Sequence, residues 1–199
     1  MPSTNVRSYT DTQLIDRVES LSTFRGWVKG KYDIWVRSSE DEYNRFDDKV
    51  YSFECFEDGE RPKFIMVCSG TTNAGSQGLK NFEKYNRLGC AVMKSDVIVY
   101  KSHQLGKHKG KYWAYVQSYS VGFPYYRDNN KDNKSDEVGR VYRNRIGANC
   151  HKAGDYSTQI GGWSVACLVR NIKKQYLKWM KWMDKNQYLN VAILKEWDD

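Results

Sequence analysis

Residues 147–169 read GANCHKAGDYSTQIGGWSVACLV. His151 and Cys167 lie sixteen residues apart, joined by a glycine-rich polar connection that allows the two side chains to meet. A thiol is a poor nucleophile until it ionises, and an adjacent imidazole favours ionisation by forming a thiolate–imidazolium pair. Two readings of the spacing stand side by side: a reactive Cys–His centre, and a structural histidine and cysteine with no chemistry between them. Around the pair, Ser164 either bonds near the dyad or stabilises a turn. Trp163 is a packing anchor or a platform for substrate, and Asn149 shapes a turn or orients the imidazole. If residues 150 and 151 lie on a strand, Cys150 points away from His151 and into the core.

Working outward, residues 168–184 predict a helix. Leu168, Ile172, Tyr176, Trp179 and Met183 form one stripe, and Lys173, Lys174, Lys178, Lys181 and Lys185 lie elsewhere. Cys167 at the start of that helix would gain stabilisation of its thiolate from the helix N-terminus. The backbone N–H groups of Ala166 and Cys167 would then form part of an oxyanion hole. A first helix is expected over 11–24, capped by Thr10 or Asp11, with Leu14, Ile15, Val18 and Leu21 at helical spacing. Strands are expected at 32–36, 50–55, 63–68, 96–101, 112–117 and 190–194, where Val, Ile, Tyr and Phe concentrate. SGTTNAGSQG, residues 69–78, reads as a long polar loop beside a site, and RDNNKDNKSDE, residues 127–137, as an exposed loop. No repeat or linker divides the chain. The reading is a single α+β domain, mainly β, with an N-terminal helical segment over 1–30 and the catalytic part over 31–199.

Composition limits the classes open to such a chain. With 199 residues and 15% aromatics it can bury one sizeable core. It has no run of 18 apolar residues, which argues against a spanning helix, and MPSTNVRSYTDTQ lacks the apolar stretch of a secretory signal. The expectation is a protein made in the cytoplasm. Five cysteines (Cys55, Cys68, Cys90, Cys150, Cys167) without a CxxC pair support neither a zinc knuckle nor a complete disulfide framework. Three histidines, none in an H-E-x-x-H arrangement, argue against catalytic zinc. His108, in GKHKGKY, reads as a surface histidine among lysines or as part of a cleft lining. A net charge of +8 calls for an anionic partner, a carboxylate-rich cell wall or a nucleic acid, or simply marks a basic protein. No nucleic-acid-binding signature is present, so nucleic acid is the weaker choice. Asp128, Asn130, Asp132 and Asp136 match positions 1, 3, 5 and 9 of a calcium loop. Asn133 stands at the central glycine and Gly139 at the bidentate acid. The expectation is no cofactor, with calcium as the one metal the spacing allows.

His151, then Ser164-Val165-Ala166-Cys167, resembles the catalytic motif of the L,D-transpeptidase domains, in which a histidine precedes Ser/Thr-His-Gly-Cys by about fourteen to seventeen residues. Val165 replaces the inner histidine and Ala166 the glycine. The segments His151-Lys152-Ala153-Gly154, Ser157-Thr158 and Trp163-Ser164-Val165-Ala166-Cys167 are similar to those of a phage and mobile-element branch of that superfamily. So are PKFIMVCSGTTNAG, GKYWAYVQ and YRDNNKDN. The resemblance covers roughly residues 32–171. It implies a β-rich fold, a Cys167 nucleophile with His151 as base, and a thioester formed from a peptidoglycan stem peptide, then resolved by hydrolysis or cross-linking. Action at the cell wall would follow lysis or delivery in a phage particle. The alternative is a non-catalytic virion or wall-binding protein that keeps the fold.

Overall fold

The computed structural model describes residues 6–198. The fold is α+β and mainly β, with 35% strand and 15% helix. In chain order the elements begin with α1 (Asp11–Glu19), β1 (Gly30–Arg37), β2 (Asp48–Cys55), β3 (Lys63–Thr71), α2 (Ser76–Lys80) and β4 (Cys90–Met93). They continue with β5 (Val97–His108), β6 (Tyr112–Gln117), β7 (Tyr125–Asp128), β8 (Cys150–Lys152), β9 (Leu168–Arg170), α3 (Lys173–Met183) and β10 (Tyr188–Lys195). Eight strands close into a barrel in the order β1-β10-β5-β6-β8-β9-β3-β2, and β4 pairs with β7 as a separate ribbon. Closure leaves no bare strand edge in the barrel. Two of its pairings, β1 with β10 and β8 with β9, are parallel; the rest are antiparallel.

Alternation along the strands sorts side chains to the two faces of the wall. Trp35, Val50, Cys68, Tyr115, Cys150, Leu168, Val191 and Ile193 fill the interior, joined by Tyr176, Trp179 and Met183 of α3. The interior also holds a fully buried ion pair, Arg170 Nη2 to Asp33 Oδ2 at 2.7 Å. Ser52 and Trp179 donate to the other carboxylate oxygen at 2.7 and 3.2 Å, and the guanidinium lies 3.9 Å from the Trp179 ring centroid. Removing one member of such a pair strands the other charge in a dry core, which costs about 3–5 kcal/mol.

On the outer face, Leu14, Ile15 and Val18 of α1 pack with Tyr32, Ile34, Val36 and Phe53. The N-terminal segment is therefore a lid on the barrel wall; residues 1–5 of the expected 1–30 segment lie outside the described residues. Thr10 caps α1 through a capping box with Gln13. The helix stops at Ser20, short of residue 24, because the Ser20 hydroxyl bonds back to the Arg17 carbonyl and the chain turns.

The expected helix over 168–184 is corrected to a strand followed by a helix. Leu168–Arg170 forms β9, and α3 begins only at Lys173. Asn171 makes the break: its side chain receives the Ser69 hydroxyl at 2.7 Å and donates to the Ser157 carbonyl at 3.1 Å, contacts a helical course would lose. The loop expected over 69–78 is likewise shorter, since Ser69–Thr71 completes β3 and Ser76 opens α2. What remains is pinned to the segment before Cys167. The Gly75 N–H donates to the Ser164 carbonyl at 3.0 Å, and a Cβ on Gly75 would stand 2.3 Å from the Gly161 carbonyl oxygen, so only glycine fits.

Candidate active site

β8 and β9 run side by side in the register Cys150↔Leu168, His151↔Val169 and Lys152↔Arg170. Cys150 and Leu168 face the barrel interior, as expected for Cys150. Alternation puts Asn149, His151, Cys167 and Val169 on the opposite face. Cys167 leads into a strand rather than a helix, so no helix N-terminus acts on its sulfur and that expected stabilisation is absent. Instead, the Asn149 backbone N–H donates to Sγ at 3.4 Å. Ser164 is fully buried, and its hydroxyl donates to the Cys167 carbonyl at 2.9 Å. Its role is to hold the turn that presents the thiol; it touches neither histidine. No hydrogen bond among the described residues takes the N–H of Ala166 or of Cys167.

His151 is buried, with Nδ1 2.8 Å from the Lys152 carbonyl and 3.4 Å from the Tyr112 hydroxyl. Its Nε2 is buried with no partner. The carbonyl assigns the proton to Nδ1 and leaves a free lone pair on Nε2. Cys167 and His151 share a face of the wall but form no hydrogen bond with each other. His108 is the third member of the cluster. It is only 7% exposed and stacks on His151 with centroids 4.0 Å apart, which corrects its reading as a surface histidine. Asn149 does orient an imidazole, that of His108: Nδ2 donates to His108 Nδ1 at 3.1 Å, while Oδ1 accepts from the Gln117 N–H at 3.1 Å. Tyr112 escaped the sequence reading. Its signal was the Lys109–Gly110 turn, with φ of 49° and 71°, which folds GKHKGKY into a hairpin and sets His108 opposite Tyr112.

Burial pushes the Cys167 thiol above its ordinary range, against the pull of the Asn149 N–H and of Lys109. Burial, then the neighbouring His108, pushes His151 down to about 3. His108 is lowered by burial and Lys109, and Tyr112 is pushed up to about 12 by burial and by the nearby Cys167. Burial therefore favours the neutral forms of the thiol and of both imidazoles. That direction runs against the expected thiolate–imidazolium pair, since burial penalises both charges.

Cys167 is the one cysteine of the five that is not fully buried. It reaches a cleft of about 570 Å³ whose lining includes Phe82, Lys84, Tyr85, Arg127, Arg145 and Ala166, and no carboxylate. Trp163 does not line that cleft. It is 43% exposed on the loop that carries Gly154, and so is not a core anchor. The calcium-like loop satisfies itself. Asn130 Nδ2 donates to Asp132 and Asp136 at 3.0 and 2.7 Å, and the Asp128 carboxylate accepts the N–H groups of Asn130 and Asp136 at 3.3 Å each. Among the described residues no three His, Cys, Asp or Glu side chains are grouped to hold a metal ion. None of the described helices is long and apolar enough to cross a membrane. No protein-family model, curated protein or solved structure matches this chain.

Proposed function

We propose that the protein is a cysteine acyl-transfer enzyme that acts on peptidoglycan stem peptides, with Cys167 as nucleophile and His151 as general base. The observation that carries this reading is the unpartnered, buried Nε2 of His151 on the same face as the one cysteine that opens to a cleft. The resemblance of residues 151–167 to the L,D-transpeptidase motif supplies the substrate class. In the first half-reaction Sγ bonds the peptide carbonyl carbon while the thiol proton passes to His151 Nε2. The oxyanion is received by the N–H groups of Ala166 and Cys167. The C–N bond then breaks, and the amine leaves with the proton from the imidazolium. In the second half, water or an amine attacks the thioester carbon, gives its proton to His151, and the sulfur leaves and takes that proton back. Water yields a cut stem; an amine yields a cross-link. The substrate lies in the wall, reached after lysis or with a phage particle.

One observation favours a second reading, a non-catalytic wall-binding or virion protein. Sγ is bonded to neither histidine, and burial holds its proton on. Purified sacculi incubated with the protein and analysed by mass decide between the two. Enzyme activity gives new cut or cross-linked stem peptides with wild type and none with Cys167→Ala. An unchanged peptide profile with both proteins, together with co-sedimentation on sacculi, supports the binding protein and sinks the enzyme.

A further inference from the structure

Three neighbouring strands of the barrel, β5, β6 and β8, carry no Asp or Glu, and neither does any residue from 97 to 127 or from 138 to 154. The β5–β6 hairpin concentrates the opposite charge at its tip, KHKGK, where Lys107, Lys109 and Lys111 are exposed. Lys152 joins them from β8, with Nζ 4.9 Å from the Tyr112 ring centroid. None of these four lysines enters an ion pair among the described residues. Lysines elsewhere do, Lys131 with Glu83 and Lys173 with Asp155. The backbone adds to the repulsion within the tip. Lys109 has a φ of 49°, in the left-handed region that glycine and asparagine favour, so the turn holds a lysine where its geometry suits asparagine better. Unbalanced charge held in place against both penalties points to an anion supplied from outside the chain. The tip borders the candidate site. His108, between Lys107 and Lys109, stacks on His151 at 4.0 Å, and the hydroxyl of Tyr112, beside Lys111, lies 3.4 Å from His151 Nδ1. Side-chain chemistry narrows the anion. All four cations are lysines, compact point charges that suit phosphate, with no guanidinium among them to match a planar carboxylate. Trp113 is the exposed ring at the tip, and Lys107 already stands over it at 5.4 Å, so no run of open rings is offered to nucleic-acid bases.

We propose that the β5–β6 tip, together with Lys152, is a docking surface for a phosphodiester polymer of the cell wall, a chain of polyol phosphates that it holds beside the candidate site. The wall as the source of the polymer rests on the function proposed above; the preference for spaced phosphates rests on the lysines alone. These residues bind the polymer and take no part in proton transfer.

The test uses three fluorescein-labelled oligomers of equal charge: glycerol phosphate, thymidylate and glutamate. Binding to the whole chain is followed by fluorescence polarisation at low and rising salt. The glycerol phosphate oligomer is expected to bind most tightly and to be released as salt is added. Replacing the tip lysines together (Lys107→Gln, Lys109→Gln, Lys111→Gln) should weaken that binding roughly tenfold, the low end of electrostatic focusing. Removing as many charges from α3 (Lys174→Gln, Lys178→Gln, Lys181→Gln) should leave it nearly unchanged. Lys109→Asn separates charge from structure: polymer binding weakens while the melting temperature holds or rises, because asparagine suits the turn. Wild-type binding by Lys109→Asn and by the triple tip variant overturns the proposal. So does an equal loss from the α3 set, which would show attraction to net charge alone. Equal or tighter binding of oligothymidylate would show a nucleic-acid surface, and equal binding of oligoglutamate a general polyanion surface; each also overturns it. The enzyme reading is decided separately, on sacculi with Cys167→Ala, a variant that keeps the tip and should bind the oligomer as wild type does.

Discussion

Two of the buried polar clusters in this protein differ in how close they lie to an opening. In the barrel interior, Asp33 receives Arg170, Ser52 and Trp179, and the Arg170 guanidinium is sandwiched toward indole rings. No carboxylate oxygen is left over, although Arg170 Nε and Nη1 have no hydrogen-bond partner, and both side chains are fully buried. On the face that carries Cys167, an imidazole nitrogen and two backbone N–H groups also lack partners, and there Ala166 and Cys167 line a cleft. Burial alone therefore does not mark a site. Unfilled hydrogen-bonding capacity marks one only where an opening lies beside it, since the closed barrel interior also holds unpartnered nitrogens, on Arg170 and Trp35.

Exchanging a single residue in each cluster breaks this comparison most directly. His151→Ala should slow transfer by roughly 10²–10⁴-fold, the usual contribution of a general base, with the melting temperature little changed. Asp33→Ala should do the reverse: it costs about 3–5 kcal/mol by stranding Arg170, while any protein that stays folded keeps its thiol chemistry. If thermal unfolding shows His151→Ala to be the more destabilised of the two, the site is a structural cluster after all.

The next effect is one of pH. Because burial holds the Cys167 proton on, alkylation should climb through and beyond the ordinary thiol range near about 8.5, with no plateau below neutrality. A rate that stays high at acid pH would restore the ion pair. Stability should respond as well. His151, held near 3 when folded, and His103, pushed to about 4 by burial, take up protons near 6.5 only in the unfolded chain. The unfolded state then binds more protons between those values, and stability falls as pH drops from 6.5 toward 3. Asp47, raised to about 8 by burial and by Asp48, works in the other direction and weakens the fold as pH rises from about 4 to 8. His151→Gln should flatten the acid limb alone. The smallest effect is expected at the 128–136 loop, whose carboxylates are already occupied by its own N–H groups and the Asn130 amide. Millimolar calcium should leave the melting curve in place, and a rise would show that the ion displaces those bonds.

Much of the barrel was legible because its long strands carry their own signal. β1, β2, β3, β5, β6 and β10 are stretches of Val, Ile, Tyr and Phe long enough to read. β4, β7, β8 and β9 are three or four residues each, too short for alternation to register. β9 was drawn into a helix because Leu168, Ile172 and Tyr176 recur every four residues, and nothing local reveals that Asn171 is committed to Ser69 and Ser157. In the site, Cys167 and His151, which share one face of the wall, were named from one short stretch, and His108 from GKHKGKY. Tyr112, on the other arm of the β5–β6 hairpin, was not. His108 and Tyr112 meet His151 through the β6–β8 contact, which rests on one register pair, Tyr115↔Cys150, and has no local code.

The parallel pairing of β1 with β10 sets an order of events in synthesis. In the ring, β10 stands between β1 and β5, so the last strand to be made is the stave that closes the barrel. Until residues 188–195 have left the ribosome, both neighbours show raw edges. The wall that sets Asn149 and His151 beside Cys167 then has no closed frame. The thiol is translated some twenty residues earlier, yet it waits for the C-terminal strand before it gains its surroundings. Chains stalled before residue 188 should label at Cys167 like an ordinary free cysteine, and the distinctive environment should appear only when the final strand is in place.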